Sequence, residues 1–418
     1  MKRTFSCTFL ALVYASLSLL SGCNFGGGGS DNDPVDADLR IGALLDLSGD
    51  SSATTAMEEQ AVQQAALNAQ ALGVVVGVEI RDTQGDPSIA VQQMQELLDL
   101  GIRVFVGPST SAEAQAVLPL ANASGALVVS ESSTAQSLAI PNDALYRLSP
   151  TSNVESQASV DFIKLRGRTS LVTVSRDDIG NLEAVAAVRA DASRAGISLQ
   201  PTITYSSSQG TDFNAVARQI ADAVSAAGNS TTVGVYVAGF DEVAGLLADC
   251  AVISSLQDVA FYGSDGVAQN STINSSAKSS FFAVQADSLP SALIGVPTDK
   301  QVQAQQVTLE VGGTTPNGFV LNAYDAVSIM TKAYLSNSSF GSGGAGDLTS
   351  FVKAADGYSG LTGTIELNAA GDRITGLYTM WGVCYVSGLT NWYSVGSWTP
   401  SSWTSTSGVA SYSGCPAT

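Results

Sequence analysis

The chain of 418 residues contains no histidine. That removes every Ser-His-Asp or Cys-His mechanism and any histidine-ligated metal. Acid–base work would fall to Asp, Glu, Lys or Tyr. No nucleophile motif accompanies them, so the chain is read as a non-enzyme that needs no cofactor and no metal. Charge is sparse too: 13% of residues are charged and 45% hydrophobic, a globular composition. Positive charge is scarcest, with 18 Lys and Arg against 37 Asp and Glu and a net charge of −19. No basic stripe escapes that average, which argues against nucleic acid or anionic headgroups as partners. Cys250, Cys384 and Cys415 include no close-spaced pair of the kind a metal site uses. The apolar stretch Phe9–Leu20 is too short to read as a membrane span.

What is present is a repeated strand–helix alternation. The length suggests two domains. The stretch Val78–Thr134 reads strand, helix, strand, helix, strand. Asp86 can cap the first helix with Pro87 at its first position. Ala90, Val91, Met94, Leu97 and Leu98 give that helix an apolar face, and Gly101 stops it. Ile102–Val106 is a near-continuous apolar strand, as parallel sheets require. Two polar clusters, Ser109–Ser111 and Ser132–Thr134, fall where a strand ends and a helix is expected to begin. In a doubly wound sheet that edge binds ligands, and free helix-start N–H groups suit a carboxylate. Leu39–Leu45 is an earlier strand, and Ala56–Leu72 a helix with Met57, Ala61, Ala65 and Ala69 along one side. Further strands are expected at Thr169–Ser175, Ile197–Tyr205, Thr232–Ala238 and Val259–Tyr262, with helices between them. The fold class is therefore α/β: two similar doubly wound lobes joined by a three-crossing hinge, with a cleft between them.

The boundaries follow from that pattern. Residues 1–22 form a leader, 23–38 a Gly- and Asp-rich tether, and 39–151 the first part of lobe one. Residues 152–293 form the first part of lobe two and 294–360 a return to lobe one. Residues 361–418 return to lobe two and end in an aromatic, Ser/Gly-rich tail, where Trp392, Trp398 and Trp403 are expected to close over the lobe. Phe340–Asp347 reads as a loose loop. Cys384 and Cys415 are the favoured disulfide in an exported chain, and Cys250, among Leu246, Leu247 and Ala251, reads as a buried thiol.

Several short motifs occur in a fixed order: Ile41-Gly42-Ala43 with Leu47-Ser48-Gly49, Asp82–Pro87, Gly107–Ser111, Ser130–Thr134, Tyr262–Gly266, Ala323–Val327 and Gly371-Asp372-Arg373. Together they resemble the type I periplasmic binding proteins, above all the branched-chain amino-acid (Leu/Ile/Val) receptors of ABC importers. The resemblance spans roughly Leu39 to Trp381. It implies a receptor that captures an amino acid, hydrophobic or aromatic, or a similar small metabolite, and delivers it to an ABC permease.

Carried over residue by residue, the resemblance places a carboxylate-binding serine at Ser111 and a hydroxyl cluster at Ser132, Ser133 and Thr134. It places an ammonium-binding acid at Asp265. Ile179 with Gly180 stands where an aromatic followed by glycine is frequent, Phe240 where a tyrosine is common, and Asn153 where an acid is frequent. These departures predict a more apolar second wall. The loop at 46–55 holds Ser51, Ser52, Thr54 and Thr55 but lacks the usual aromatic. Competing readings stay open: a plain helix cap for Ser111 and for Ser132–Thr134, and a turn aspartate for Asp265.

Leu20-Ser21-Gly22-Cys23 resembles the bacterial lipoprotein cleavage motif. It implies lipid on Cys23, a membrane anchor, and a place in the bacterial cell envelope on the periplasmic or extracellular face. The alternative function is a ligand-free or sensory interaction module on the same fold, such as a lipoprotein regulating cell-wall synthases.

Overall fold

The computed structural model describes residues 37–206, 210–402 and 407–417. The leader, Cys23, the tether to residue 36 and Trp403 lie outside them. The chain begins with β1 (Leu39–Leu45), α1 (Ser52–Ala69), β2 (Val76–Asp82), α2 (Pro87–Asp99), β3 (Val104–Val106), α3 (Ser111–Ser124), β4 (Leu127–Ser130) and β5 (Leu145–Arg147). These strands form one parallel sheet in the order β2-β1-β3-β4-β5. Strand β1 shows why the sheet is covered on both faces. Leu39, Ile41, Ala43 and Leu45 join one core and Leu44 the opposite one. Successive side chains of a strand point to opposite faces, so burial on both sides yields a continuous apolar run.

The second sheet repeats the plan. It follows α4 (Ser152–Leu165), β6 (Ser170–Arg176), α5 (Ile179–Arg194), β7 (Ser198–Leu199), β8 (Ile203–Tyr205), α6 (Phe213–Ala227) and β9 (Val233–Ala238). Then come α7 (Val243–Cys250), β10 (Ala260–Gly263), α8 (Ser271–Ser275), α9 (Ala277–Gln285) and β11 (Ser291–Ile294). The parallel part runs β7-β6-β9-β10-β11, the same winding as the first sheet. The single strand expected over Ile197–Tyr205 is two, β7 and β8, with Pro201 between them. Proline has no N–H to give to a ladder.

The chain then returns to the first sheet with α10 (Gln301–Glu310), α11 (Gly318–Ser336) and α12 (Ala345–Ala355). The hairpin β12 (Tyr358–Gly360) and β13 (Gly363–Ile365) follows. Helix α11 packs Val320, Ala323, Val327 and Met330 against β1 and α1. Helix α12 takes the end of the stretch expected as a loop over Phe340–Asp347.

The final return to the second lobe, expected at residue 361, comes later. Arg147 bridges to Asp372 in parallel, its N–H donating to the Gly371 carbonyl at 2.9 Å, and the Arg373 N–H donates to the Arg147 carbonyl at 3.1 Å. Residues 371–373 thus still lie beside β5, held by the buried Arg147–Asp372 ion pair at 2.6 Å. The chain enters the second sheet only with β14 (Tyr378–Val386), followed by β15 (Leu389–Pro400) and β16 (Gly408–Tyr412). These strands extend that sheet antiparallel from β11. The tail is therefore part of the sheet. Trp398 is fully buried and its indole N–H donates to Asp161 at 2.9 Å; the Trp392 indole N–H donates to the Asn270 carbonyl at 2.9 Å. Cys384 and Cys415 are bonded, and Cys250 is a buried free thiol whose pKa burial pushes up to about 12.

Candidate functional site

In both sheets the winding reverses between the second and third strands in space, β1 and β3 in one, β6 and β9 in the other. Loops leaving the carboxyl ends of such a strand pair diverge and leave a crevice. The two crevices face one another, and the site lies where they meet.

On the first wall, Asp46 organises the loop after β1. One carboxylate oxygen accepts the Gly49 N–H at 2.6 Å, and the other accepts the Ser51 N–H at 2.9 Å and the Ser51 hydroxyl at 2.5 Å. This loop leads directly into α1, which brings Glu58 to the cavity. After β3 the chain turns at Gly107, φ +85°, where an added Cβ would lie 2.1 Å from the Leu44 carbonyl oxygen. Only glycine tolerates both the left-handed backbone and that approach.

Thr110, rather than Ser111, caps α3. Its hydroxyl accepts the Glu113 N–H at 3.3 Å, while its own N–H donates to the Glu113 carboxylate at 3.2 Å. This reciprocal pair is a capping box. Ser111 is left to the strand-end loop, where its oxygen accepts the N–H groups of Thr134 at 3.2 Å and Ala135 at 3.1 Å. The Ser132 hydroxyl donates to the Ser109 carbonyl at 2.6 Å. No α-helix begins at Ser132–Thr134: a single turn, Gln136–Leu138, follows, so the helix start expected there is absent.

On the second wall, Phe240 lies under the Arg176 guanidinium, 5.2 Å from the ring centroid. The Asp241 carboxylate accepts the Asn270 side-chain amide at 2.7 Å and, from the first lobe, the Ala53 N–H at 3.2 Å. Asp265 accepts the Gly266 N–H at 2.7 Å, and its own N–H donates to Glu155 at 3.2 Å. The Thr134 hydroxyl reaches across and donates to the Asp265 carboxylate at 3.4 Å.

Between the walls lies a cavity of about 50 Å³. Glu58, Ser111, Ser132 and Thr134 line it from the first lobe; Gly180, Asn181, Phe240, Asp241 and Asp265 line it from the second. The expected residues Ser111, Ser132, Thr134, Phe240 and Asp265 are thus brought together. Two others are not. Ser133 is buried beside the cavity, its N–H donating to the Ser130 hydroxyl oxygen at 3.0 Å. Ile179 packs onto the first lobe's core, and Gly180 faces the cavity in its place. A Cβ at Gly180 would lie 3.3 Å from the Ser111 side chain, so glycine permits the lobes to approach this closely. Asn153 donates to the Gln136 side chain at 2.8 Å and does not line the cavity.

The electrostatics are one-sided. Among the described residues, none lining the cavity is Lys or Arg, while Glu58, Asp241 and Asp265 are acids. Burial pushes Asp241 and Asp265 up to about 6. Burial, then the charge of Glu131, pushes Glu58 well above the ordinary carboxyl range. Burial and the neighbouring Asp265 do the same to Glu155. Sequence reasoning missed Glu58 and Asp241. The signal for Glu58 was its place in the buried stripe of α1, three residues before Ala61, where an acid is out of pattern. The second wall, expected to be apolar, carries Ala184 and Phe240 together with the polar Asn181, Asp241 and Asp265.

Two lobes of like winding, closed over a small cavity at their switch points, define a solute-binding architecture. The chain belongs to the periplasmic binding protein family, whose model matches residues 38–380. It is 28% identical over 385 residues to an uncharacterised protein of Methanocaldococcus jannaschii, covering 86% of this chain and 89% of that one. In fold it is similar to the leucine-binding protein LivK of Thermotoga maritima (TM-score 0.72, 15% identity, 85% of this chain and 98% of that one). It is also similar to LivJ of Streptococcus pneumoniae in complex with isoleucine (TM-score 0.67, 16% identity, 84% and 97%). A third similar structure is an ABC-transporter solute-binding protein of Rhodopseudomonas palustris in complex with 3,4-dihydroxybenzoic acid (TM-score 0.68, 16% identity, 85% and 97%).

Proposed function

We propose that this protein is an extracytoplasmic receptor for an ABC importer, held at the cell envelope by lipid on Cys23. Its ligand is an amino acid or a similar small, amine-bearing metabolite, bound between Ser111, Ser132 and Thr134 on one lobe and Asp265 and Phe240 on the other. The observation that carries this reading is the Thr134–Asp265 hydrogen bond at 3.4 Å, which joins the two lobes at the wall of the cavity. A ligand touching both walls favours the closed form, and a permease distinguishes closed from open. The LivK and LivJ similarity supports the amino-acid class, and the acids of the cavity favour an amine over a benzoate.

The test is thermal unfolding of the purified protein against an amino-acid panel, repeated with a Ser111→Ala/Thr134→Ala/Asp265→Ala variant. The expected result is a rise in Tm with at least one amino acid that the variant loses. Unchanged stabilisation in the variant would refute the site. No stabilisation by any small metabolite, with retention of a cell-wall synthase in a pull-down, would instead favour the interaction-module reading.

A further inference from the structure

Resting on the receptor reading, we infer that the ligand is a small net cation, an amine with a second donor group at its far end, and that Glu58 is the specificity-determining residue that receives that second group.

The argument begins with what the cavity cannot hold. A buried anion requires a cation or several free donors. Among the described residues, no Lys or Arg lines the cavity. Most of the donors expected to grip a ligand carboxylate are in use: the Thr134 and Ala135 N–H groups are given to Ser111, the Ser132 hydroxyl to the Ser109 carbonyl, and the Thr134 hydroxyl to Asp265. Ser111 accepts in both of its bonds and keeps its own hydroxyl proton, a single donor where a buried carboxylate needs several. The start of α3 is occupied by its own Thr110 and Glu113. An ammonium-free carboxylate would enter a cavity already carrying buried negative charge.

A cation meets the opposite situation. Asp241 and Asp265 stand on the second wall, and the Phe240 ring lies beside them. An aromatic face attracts an ammonium group. On the first wall Glu58 is 1% exposed; it neighbours the buried Glu131, and the Ser109 hydroxyl donates to it at 3.4 Å, a long contact. Glu58 and the two aspartates thus face the same cavity from opposite lobes. A ligand with one ammonium group reaches Asp265 and Asp241, and a second ammonium group reaches Glu58 and holds the lobes together. The volume sets the length: about 50 Å³ suits roughly four waters or a molecule of a few heavy atoms.

The experiment uses probes of near-equal size and different charge: 1,3-diaminopropane, propylamine, β-alanine and propionate, with leucine as a fifth, measured by calorimetric titration. The expected order of affinity is diamine, monoamine, β-alanine, propionate. Glu58→Gln keeps the shape of the side chain and is expected to lower diamine affinity at least about tenfold while changing monoamine affinity far less. If that variant fails to fold, Asp241→Asn serves in its place and is expected to weaken both amines. Binding of β-alanine or propionate more tightly than both amines overturns the inference, as does an unchanged diamine-to-monoamine ratio in Glu58→Gln. Leucine binding with no amine binding overturns it while leaving the receptor reading intact. Silence of all five probes counts against both.

Discussion

Two regions of this protein bury acids, and they treat them differently. At the hinge, Asp372 meets Arg147 at 2.6 Å, and Arg373 lies near Asp325 while donating to Thr362 at 2.7 Å and to the Leu148 carbonyl at 3.2 Å. In the cleft, Glu58, Asp241 and Asp265 line the cavity with no basic residue among the described lining. Eighteen basic residues are few for 37 acids, yet two are spent fully buried at the hinge. The contrast teaches that the cleft acids are left unneutralised although the fold can bury arginines. Buried charge without a partner costs stability, and such costs concentrate at functional sites.

The largest test of this contrast is Arg147→Met. It leaves Asp372 buried and unpaired, and should cost about 3–5 kcal/mol in urea unfolding. Adding Asp372→Leu should recover most of that loss, because the stranded charge is gone. Asp265→Asn should do the reverse. In the free protein it removes an unneutralised acid and should raise stability by about 0.5–2 kcal/mol, while abolishing ligand-induced stabilisation. A fall in stability of the free protein would break the comparison.

The pH dependence of the free protein sharpens it. Asp241 and Asp265 rise from an ordinary value near 3.8 to about 6 on folding. The folded state then binds more protons than the unfolded state between these values, so stability falls as pH rises through that window. The penalty is fully present above about 6 and is relieved toward about 4. Tm should therefore increase as pH is lowered from 7 to 5, and a bound cation should flatten that increase. An Asp241→Asn/Asp265→Asn variant should flatten it as well. The smallest effect is expected of Gly180→Ala, whose Cβ presses on Ser111 at 3.3 Å. Ligand affinity should fall a few-fold, because closure is hindered, with Tm of the free protein nearly unchanged.

The repeated winding was legible because parallel strands buried on both faces read as apolar runs, as Ile41–Leu45 and Val104–Val106 do, and because Asp86, Pro87 and Gly101 punctuate α2. Ser111, Ser132, Thr134, Phe240 and Asp265 were legible through strand-end position and motif. The late third crossing was not, since it depends on Arg147 meeting Asp372, 225 residues away. Nor was the antiparallel extension built from the tail, whose alternation fits any exposed strand until β11 is there to receive it.

The amino-acid order alone determined the α/β class, the doubled plan, the excess of acid and the absence of histidine chemistry, since each follows from local periodicity or composition. Which hydroxyls face the cavity and which are spent on backbone, that Ile179 turns away while Gly180 takes its place, and that Glu58 faces Asp241 and Asp265 were decided only by the tertiary structure. Those facts are distances between side chains on separate lobes, and nothing in a local run of residues encodes how two lobes meet.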